Sequence, residues 1–237
     1  DSYANLEDIH GQPIQQRSNL AFLESLMSEE ERQTRIHGQF FHLRGVVYKE
    51  FLPSTHERVW EYSPGDPVLC VMDPHTRKPH WVIWAFVNKH DQLCIDRELA
   101  FEGTLQDMKQ RITDIERRAG YRVVRRLIDP NYGRWNLITT GRTVIDELAR
   151  APFPIRFLEA NDDKEAGILK VKDYLRYDRT RPMDLNNTPT LFFHRERAPG
   201  TIRSVRNLQY DEWKGKTKDD RDQKEDTKQK DTDGADC

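Results

Sequence analysis

Two stretches decide the fold: Val68-Leu69-Cys70-Val71-Met72-Asp73-Pro74 and Val123-Val124-Arg125-Arg126-Leu127-Ile128-Asp129-Pro130. Each is an apolar run of strand length that closes on Asp-Pro. The first is continuously apolar from Val68 to Met72, which predicts a strand buried on both faces. An aspartate closing a buried strand must reach the solvent edge or be neutralised, because an isolated buried charge is costly. Asp-Pro is also a common turn signal, so either aspartate alone reads equally well as a plain turn residue. Together they say more. A helix between the two runs, crossing over with the usual right hand, lays the second strand parallel to the first and brings both carboxylates to one end of the sheet. Carboxylates converging there suit divalent cations and two-metal phosphodiester hydrolysis.

The neighbouring sequence extends this sheet. Trp81 to Val87 is rich in β-branched and aromatic residues, Asn88-Lys89-His90-Asp91 is a polar turn, and Leu93 to Leu99 alternates. Such short connections predict an antiparallel meander. Thr104 with Asp107 then opens a helix that stops at Gly120, with Leu105, Met108, Ile112 and Ile115 on its apolar face. After strand 122–128 come an expected helix at 141–150, strand 155–158, helix 163–176, strand 191–194 and helix 200–213. An antiparallel meander followed by alternating helices and strands predicts an α/β fold with a mixed sheet flanked by helices. Upstream, 45–51 (Gly-Val-Val-Tyr-Lys-Glu-Phe) reads as a further strand. Residues 1–44 read as a polar linker and helical arm, with helical spacing from Leu20 to Met27 and a capping-box pattern at Ser28 to Glu31. The expected division is thus 1–44 and 45–237. Residues 214–232 are almost wholly charged or polar and predict a solvated connector.

Composition narrows the function classes. Of the 237 residues, 36% are hydrophobic and 33% charged, so the core is smaller than the length suggests. A net charge of −2 argues against a uniformly basic nucleic-acid binder but leaves room for a local basic patch. No apolar run approaches transmembrane length. Three cysteines, two of them in strand-like runs, suit reduced thiols, and no CxxC or HxxxH spacing points to zinc. Gly215-Lys216-Thr217 imitates the end of a phosphate-binding loop, but Tyr210 stands where its first glycine is needed, so no ATPase site is expected. His75, His80 and His90 flank the first strands, and His75 lies close enough to Asp73 to matter. The start at Asp1 and the end just after an acidic cluster suggest a piece of a longer polypeptide.

The third acidic position falls in Asp231-Thr232-Asp233-Gly234-Ala235-Asp236. Asp233 and Asp236 share a face if a helix starts there, and Gly234 permits a close approach. The cations Arg77, Lys78, Arg125, Arg126, Arg134 and Arg142 cluster in sequence around the two strand ends, where they could contact phosphates. Arg117 and Arg118 sit where the helix dipole favours cations anyway.

The order of these features, with Val71-Met72-Asp73-Pro74, Leu127-Ile128-Asp129-Pro130, the phrases at Ser2-Tyr3-Ala4-Asn5 and Arg35 to Phe40, and Tyr210 to Lys214 before the last acids, resembles the nuclease domain of the large terminase subunit of tailed bacteriophages. The resemblance implies a ribonuclease H-like fold and a metal-dependent DNA endonuclease that cuts concatemeric viral DNA during packaging. It implies Asp73, Asp129 and Asp236 as catalytic metal ligands for two Mg²⁺ or Mn²⁺ ions. Asp233 stands where the family often has a histidine or another acid. It also implies double-stranded DNA as substrate, an ATPase motor N-terminal to Asp1, a small terminase subunit and the portal as partners, and the host cytoplasm as location. A non-catalytic DNA clamp on the same scaffold, or a transposase- or resolvase-type nuclease, are the alternative readings.

Overall fold

Helix α1 (Pro53–His56) and strand β1 (Glu57–Arg58) lead into the meander β2 (Pro67–Asp73), β3 (His80–Val87) and β4 (Leu93–Phe101). Helix α2 (Leu105–Ala119) crosses to β5 (Arg122–Ile128). Short helices α3 (Pro130–Gly133) and α4 (Val144–Leu148), strand β6 (Leu158–Glu159), helix α5 (Lys164–Leu175), strand β7 (Leu191–His194) and helix α6 (Pro199–Asn207) complete the order. The computed structural model describes residues 46–75, 78–210 and 234, all within the unit Gly45–Cys237. Among them the strands form one seven-stranded sheet in the order β1-β7-β4-β3-β2-β5-β6. The β2–β3 and β3–β4 pairs are antiparallel, and the β2–β5, β5–β6, β4–β7 and β1–β7 pairs are parallel. The expected mixed sheet is therefore present. No described helix is long and apolar enough to cross a membrane.

Alternation on the strands divides the core in two. Val68, Cys70, Met72, Val82, Trp84 and Phe86 face Met108 and Ile112 of α2 and Val144 and Leu148 of α4. On the other face Leu191 and Phe193 pack with Leu175 of α5 and with Ile202 and Val205 of α6. Each large apolar side chain fully removed from water contributes about 1.5–3 kcal/mol. Helix α2 is framed as its sequence dictates. The Thr104 hydroxyl accepts from Asp107 N at 3.2 Å, and Gly120 closes the helix at φ +66°. The buried Trp84 indole donates to Glu116 Oε1 of α2 at 3.2 Å, which removes the cost of burying its N–H.

Several expectations change. Leu69 and Val71 are half-exposed, so β2 is buried on alternate residues only. Residues 46–51 form no strand. Val46 makes a single antiparallel bridge to Gln209, and residues 49–50 turn into α1, whose N-terminal Pro53 favours a helix start. Val47, Tyr48 and Phe51 all enter one core, which strand alternation would forbid. The helix expected at 141–150 is shorter, 144–148, and the strand expected at 155–158 is reduced to Leu158–Glu159. The last helix ends at Asn207, because Leu208 turns extended and its neighbour Gln209 bridges Val46. The arm within 1–44, the charged stretch 214–232 and the Gly215-Lys216-Thr217 phrase lie outside the described residues.

Three buried histidines share one electrostatic condition. His56 has Nε2 at 2.9 Å from Leu175 O, and His194 has Nε2 at 3.2 Å from Trp60 O. Burial lowers the pKa of His56, His80 and His194, with the Arg197 charge adding to the effect at His194. Unfolded imidazoles take up protons near pH 6.5, at about their unperturbed value, whereas the folded ones do so only at lower pH. Their contribution to stability is present above about pH 6.5 and is lost as pH falls through the folded values. Thermal melts from pH 7.5 down to 5.5 are expected to show a falling Tm; a flat or rising Tm across that window would contradict the argument.

Candidate active site

The parallel pairing of β2 and β5 carries a bulge. Val68 lies opposite Val123, but Leu69 lies opposite Arg125, so Val124 is the extra residue, and it is exposed. The shift has two consequences. It sets Met72 against Ile128, and Asp129 N continues the ladder by donating to Met72 O at 3.2 Å. Asp73 and Asp129 therefore occupy the next adjacent positions on strands about 4.8 Å apart. Without the bulge, Ile128 would stand level with Asp73. The shift also turns Arg126, rather than Arg125, toward α2.

Both aspartates line a cavity of ≈ 530 Å³ on the α5 side of the sheet, with Val71, Asn131, Asn161, Asp162, Asp163 and Lys164 also in its wall. Asp129 doubles as the N-cap of α3: its Oδ1 accepts from Tyr132 N at 2.9 Å, which fixes the rotamer of the carboxylate. Its Oδ2 accepts no hydrogen bond among the described residues. Asp73 Oδ2 lies 3.2 Å from His75 Nε2. The loop after β2 is held from below. His80 Nδ1 accepts from His75 N at 3.1 Å, and the Tyr132 hydroxyl donates to His75 O at 3.5 Å. Acceptance at Nδ1 needs an imidazole unprotonated there, and the lowered pKa of His80, caused first by burial and then by His75, agrees with it.

Among the described residues no group of three or more His, Cys, Asp or Glu is placed to hold a metal ion. The two remaining expected ligands, Asp233 and Asp236, lie outside the described residues, as does Arg77. Gly234 between them is described. It is buried, and a Cβ there would come 2.8 Å from Thr201 Cα and 3.1 Å from Trp81 Nε1. Trp81 pairs directly with Asp73 across β2–β3, so Gly234 lies against the first aspartate's neighbour at the same sheet end.

The candidate DNA-contacting cations are not alike. Arg126 faces α2 and forms a two-pronged pair with Glu116, at 3.2 Å through Nε and 2.5 Å through Nη2. Arg134, just after α3, is paired in the same way with Glu159 at the end of β6. Arg125 is exposed on the opposite face of β5 from Arg126, and Arg142 is exposed in the loop before α4. Lys78 is exposed in the loop between β2 and β3. Thus Lys78 and Arg134 lie near the strand ends, whereas Arg125 sits four residues back, about 13 Å at strand rise. The sequence reading missed Asn161, Asp162 and Asp163. Their signal was a third polar, acidic turn, Asn161-Asp162-Asp163, between β6 and α5. Asp163 caps α5, accepting from Ala166 N at 3.1 Å.

No family model matches the sequence, and no curated protein is similar to it. Solved structures are similar in fold. The large terminase of a thermophilic bacteriophage superposes with a TM-score of 0.59 at 13% identity, over 96% of this chain and 52% of that one. The same protein in complex with ATP-gamma-S gives 0.59 at 16% identity, over 93% of this chain and 50% of that one. The P22 large terminase nuclease domain gives 0.53 at 14% identity, over 80% of this chain and 87% of that domain. The chain spans about half the length of the thermophilic phage protein but most of the isolated P22 domain. Its fold is that of the nuclease domain of phage large terminases.

Proposed function

We propose that this chain is a metal-dependent DNA endonuclease, the nuclease domain of a phage terminase large subunit, which cuts concatemeric viral DNA during genome packaging. One observation carries the reading: Asp73 and Asp129 stand side by side at the ends of parallel β2 and β5, on the wall of one open cavity. The donors are hard carboxylate oxygens, with side-chain amides nearby, which fits Mg²⁺ or Mn²⁺ and does not suit a soft metal. Asp73, Asp129 and Asp236, with Asp233, are the residues that would hold two such cations. When bound, the cations would acidify the attacking water and stabilise the leaving 3′-oxygen. The chain's own part is to hold the carboxylates still. The α3 cap fixes Asp129, and the His75–His80–Tyr132 contacts fix the loop that follows Asp73. Lys78 and Arg134, with Arg77, Arg125 and Arg142, would meet DNA phosphates, whereas Arg126, expected among them from the sequence, is taken up by Glu116 on the α2 face.

On this reading residues 1–44 form the arm that follows an ATPase motor. The small terminase subunit and the portal are the partners, and the work takes place in the host cytoplasm. The test is nicking of supercoiled plasmid by the 237-residue chain. Mn²⁺ or Mg²⁺ should support conversion to open-circle and linear forms, and EDTA should stop it. Binding of DNA without cleavage under any divalent cation would instead favour a clamp.

A further inference from the structure

Apart from the acid-lined cavity, the molecule carries a second feature of concentrated charge. Strand β4 is paired with β7 only from Leu93 to Ile95, and Glu98 N then donates to Arg197 O at 3.0 Å. Beyond Glu98 this edge of β4 has no strand partner among the described residues. Between it and α2 runs a groove, seen as two adjoining cavities of ≈ 430 Å³ and ≈ 320 Å³ that share Leu99, Arg111 and Asp114. Arg111 and Arg118 line it from α2. They are seven residues apart, hence on one helix face and about 10 Å apart along the axis. Arg97 lines it from β4.

Two acids share the larger cavity, and both are engaged elsewhere. Glu98 accepts at the start of α6 from Gly200 N at 2.7 Å, Thr201 N at 2.6 Å and the Thr201 hydroxyl at 2.8 Å. Asp114 is paired with Arg117 at 2.7 Å. By contrast, no carboxylate among the described residues pairs with Arg97, Arg111 or Arg118. Arg97 Nε is shielded from solvent and makes no hydrogen bond there. Asp107 of the smaller cavity accepts from the Thr104 hydroxyl at 2.7 Å. Three guanidiniums along one concave surface, with Asp114 paired to Arg117 and the carboxylates of Glu98 and Asp107 occupied by neutral donors, present donors in the fork geometry that matches a phosphate.

We propose that this groove is a phosphate-binding site built from Arg97, Arg111 and Arg118, and that it takes the backbone of DNA away from the acid-lined cavity. A free nucleotide phosphate is the other source of the same chemistry. The proposal rests on the DNA-directed reading above, so its test is run in EDTA, where cleavage plays no part. Labelled duplex DNA is titrated by fluorescence anisotropy over a salt series with the wild-type chain, with Arg111→Gln/Arg118→Gln, and with the triple variant that adds Arg97→Gln. The double variant keeps Arg97, which packs beside Tyr121, and so guards against a folding artefact. The slope of log affinity against log salt is expected to fall by about two in the double variant and about three in the triple, near 0.9 per phosphate contact. A second arm measures the rise in Tm given by pyrophosphate. Unchanged DNA slopes, with a wild-type pyrophosphate shift that both variants lose, would keep the phosphate site and make free phosphate its source. Unchanged slopes and an unchanged pyrophosphate shift would overturn it. If the wild type bound no DNA, the nuclease reading would fail, and the pyrophosphate arm would still judge the groove.

Discussion

Asp73→Asn is expected to lower metal-dependent plasmid nicking by about a thousandfold or more, since a bound cation supplies several kcal/mol of transition-state stabilisation and each 1.4 kcal/mol is about tenfold in rate. The substitution keeps the shape of the side chain and removes its charge. The position is the last of β2, its neighbours Val71 and Met72 keep their packing, and the backbone pairing with Trp81 is untouched. Stability without divalent cations should therefore fall by about 1 kcal/mol, the typical cost of a single substitution, as the contact with His75 weakens. Asp129→Asn should lose activity similarly but cost more in stability. Its carboxylate also caps α3, and an amide oxygen is the weaker acceptor for Tyr132 N. Nicking by Asp73→Asn at the wild-type rate, with equal folded protein, would remove Asp73 from the chemistry and with it the two-metal reading.

That contrast between two aspartates at similar strand ends shows what the sequence carried and what it did not. The strand runs, the crossover helix and the positions of Asp73 and Asp129 were legible, because apolar patterning and Asp-Pro punctuation are local signals. Strand 122–128 and strand 191–194 coincide with β5 and β7. The bulge at Val124 was not legible. A strand with one extra residue has the same composition as one without, and only pairing with β2 reveals it. That one residue decides which arginine faces α2, so the burial of Arg126 against Glu116 could not be read from the run Arg125-Arg126. Strands of two residues, β1 and β6, are set by their partners and give no periodicity at all. The segment 46–51 misled because an apolar run looks the same whether it alternates across a sheet or wraps a helix start. The cavity wall at Asn161 to Asp163 was missed because acids before a helix read first as a cap, which Asp163 indeed is.

Asp96 is expected to behave in the opposite way to Asp73. It is nearly fully buried in β4, and its carboxylate gathers three segments. Oδ1 accepts from Trp60 Nε1 at 2.7 Å and from Arg197 Nη2 at 2.8 Å, and Oδ2 accepts from the Tyr121 hydroxyl. Arg197 also donates to Trp60 O at 2.8 Å, so the stretch before β2, the loop before α6 and the turn after α2 meet on one side chain. Burial first, and the Asp96 hydrogen bond second, raise the Tyr121 pKa well above the ordinary tyrosine value, which keeps the phenol a donor at any working pH. Asp96→Ala would leave a largely buried guanidinium, an indole N–H and a phenol without their acceptor. Removing one partner of a buried ion pair costs about 3–5 kcal/mol. Asp96→Asn keeps an acceptor oxygen and should cost roughly half of that, since hydrogen bonds to a charged group are about twice as strong as neutral ones. Urea unfolding of both variants measures the loss. A change under about 1 kcal/mol in Asp96→Ala would mean that water or a rearranged Arg197 replaces the carboxylate, against the cost expected for a buried pair. Asp96→Asn, which remains folded below the transition, should nick plasmid at the wild-type rate per folded molecule, because Asp96 lines neither the acid-bearing cavity nor its loops. Loss of activity in that variant beyond its loss of folded protein would show that the two ends of β4 are coupled.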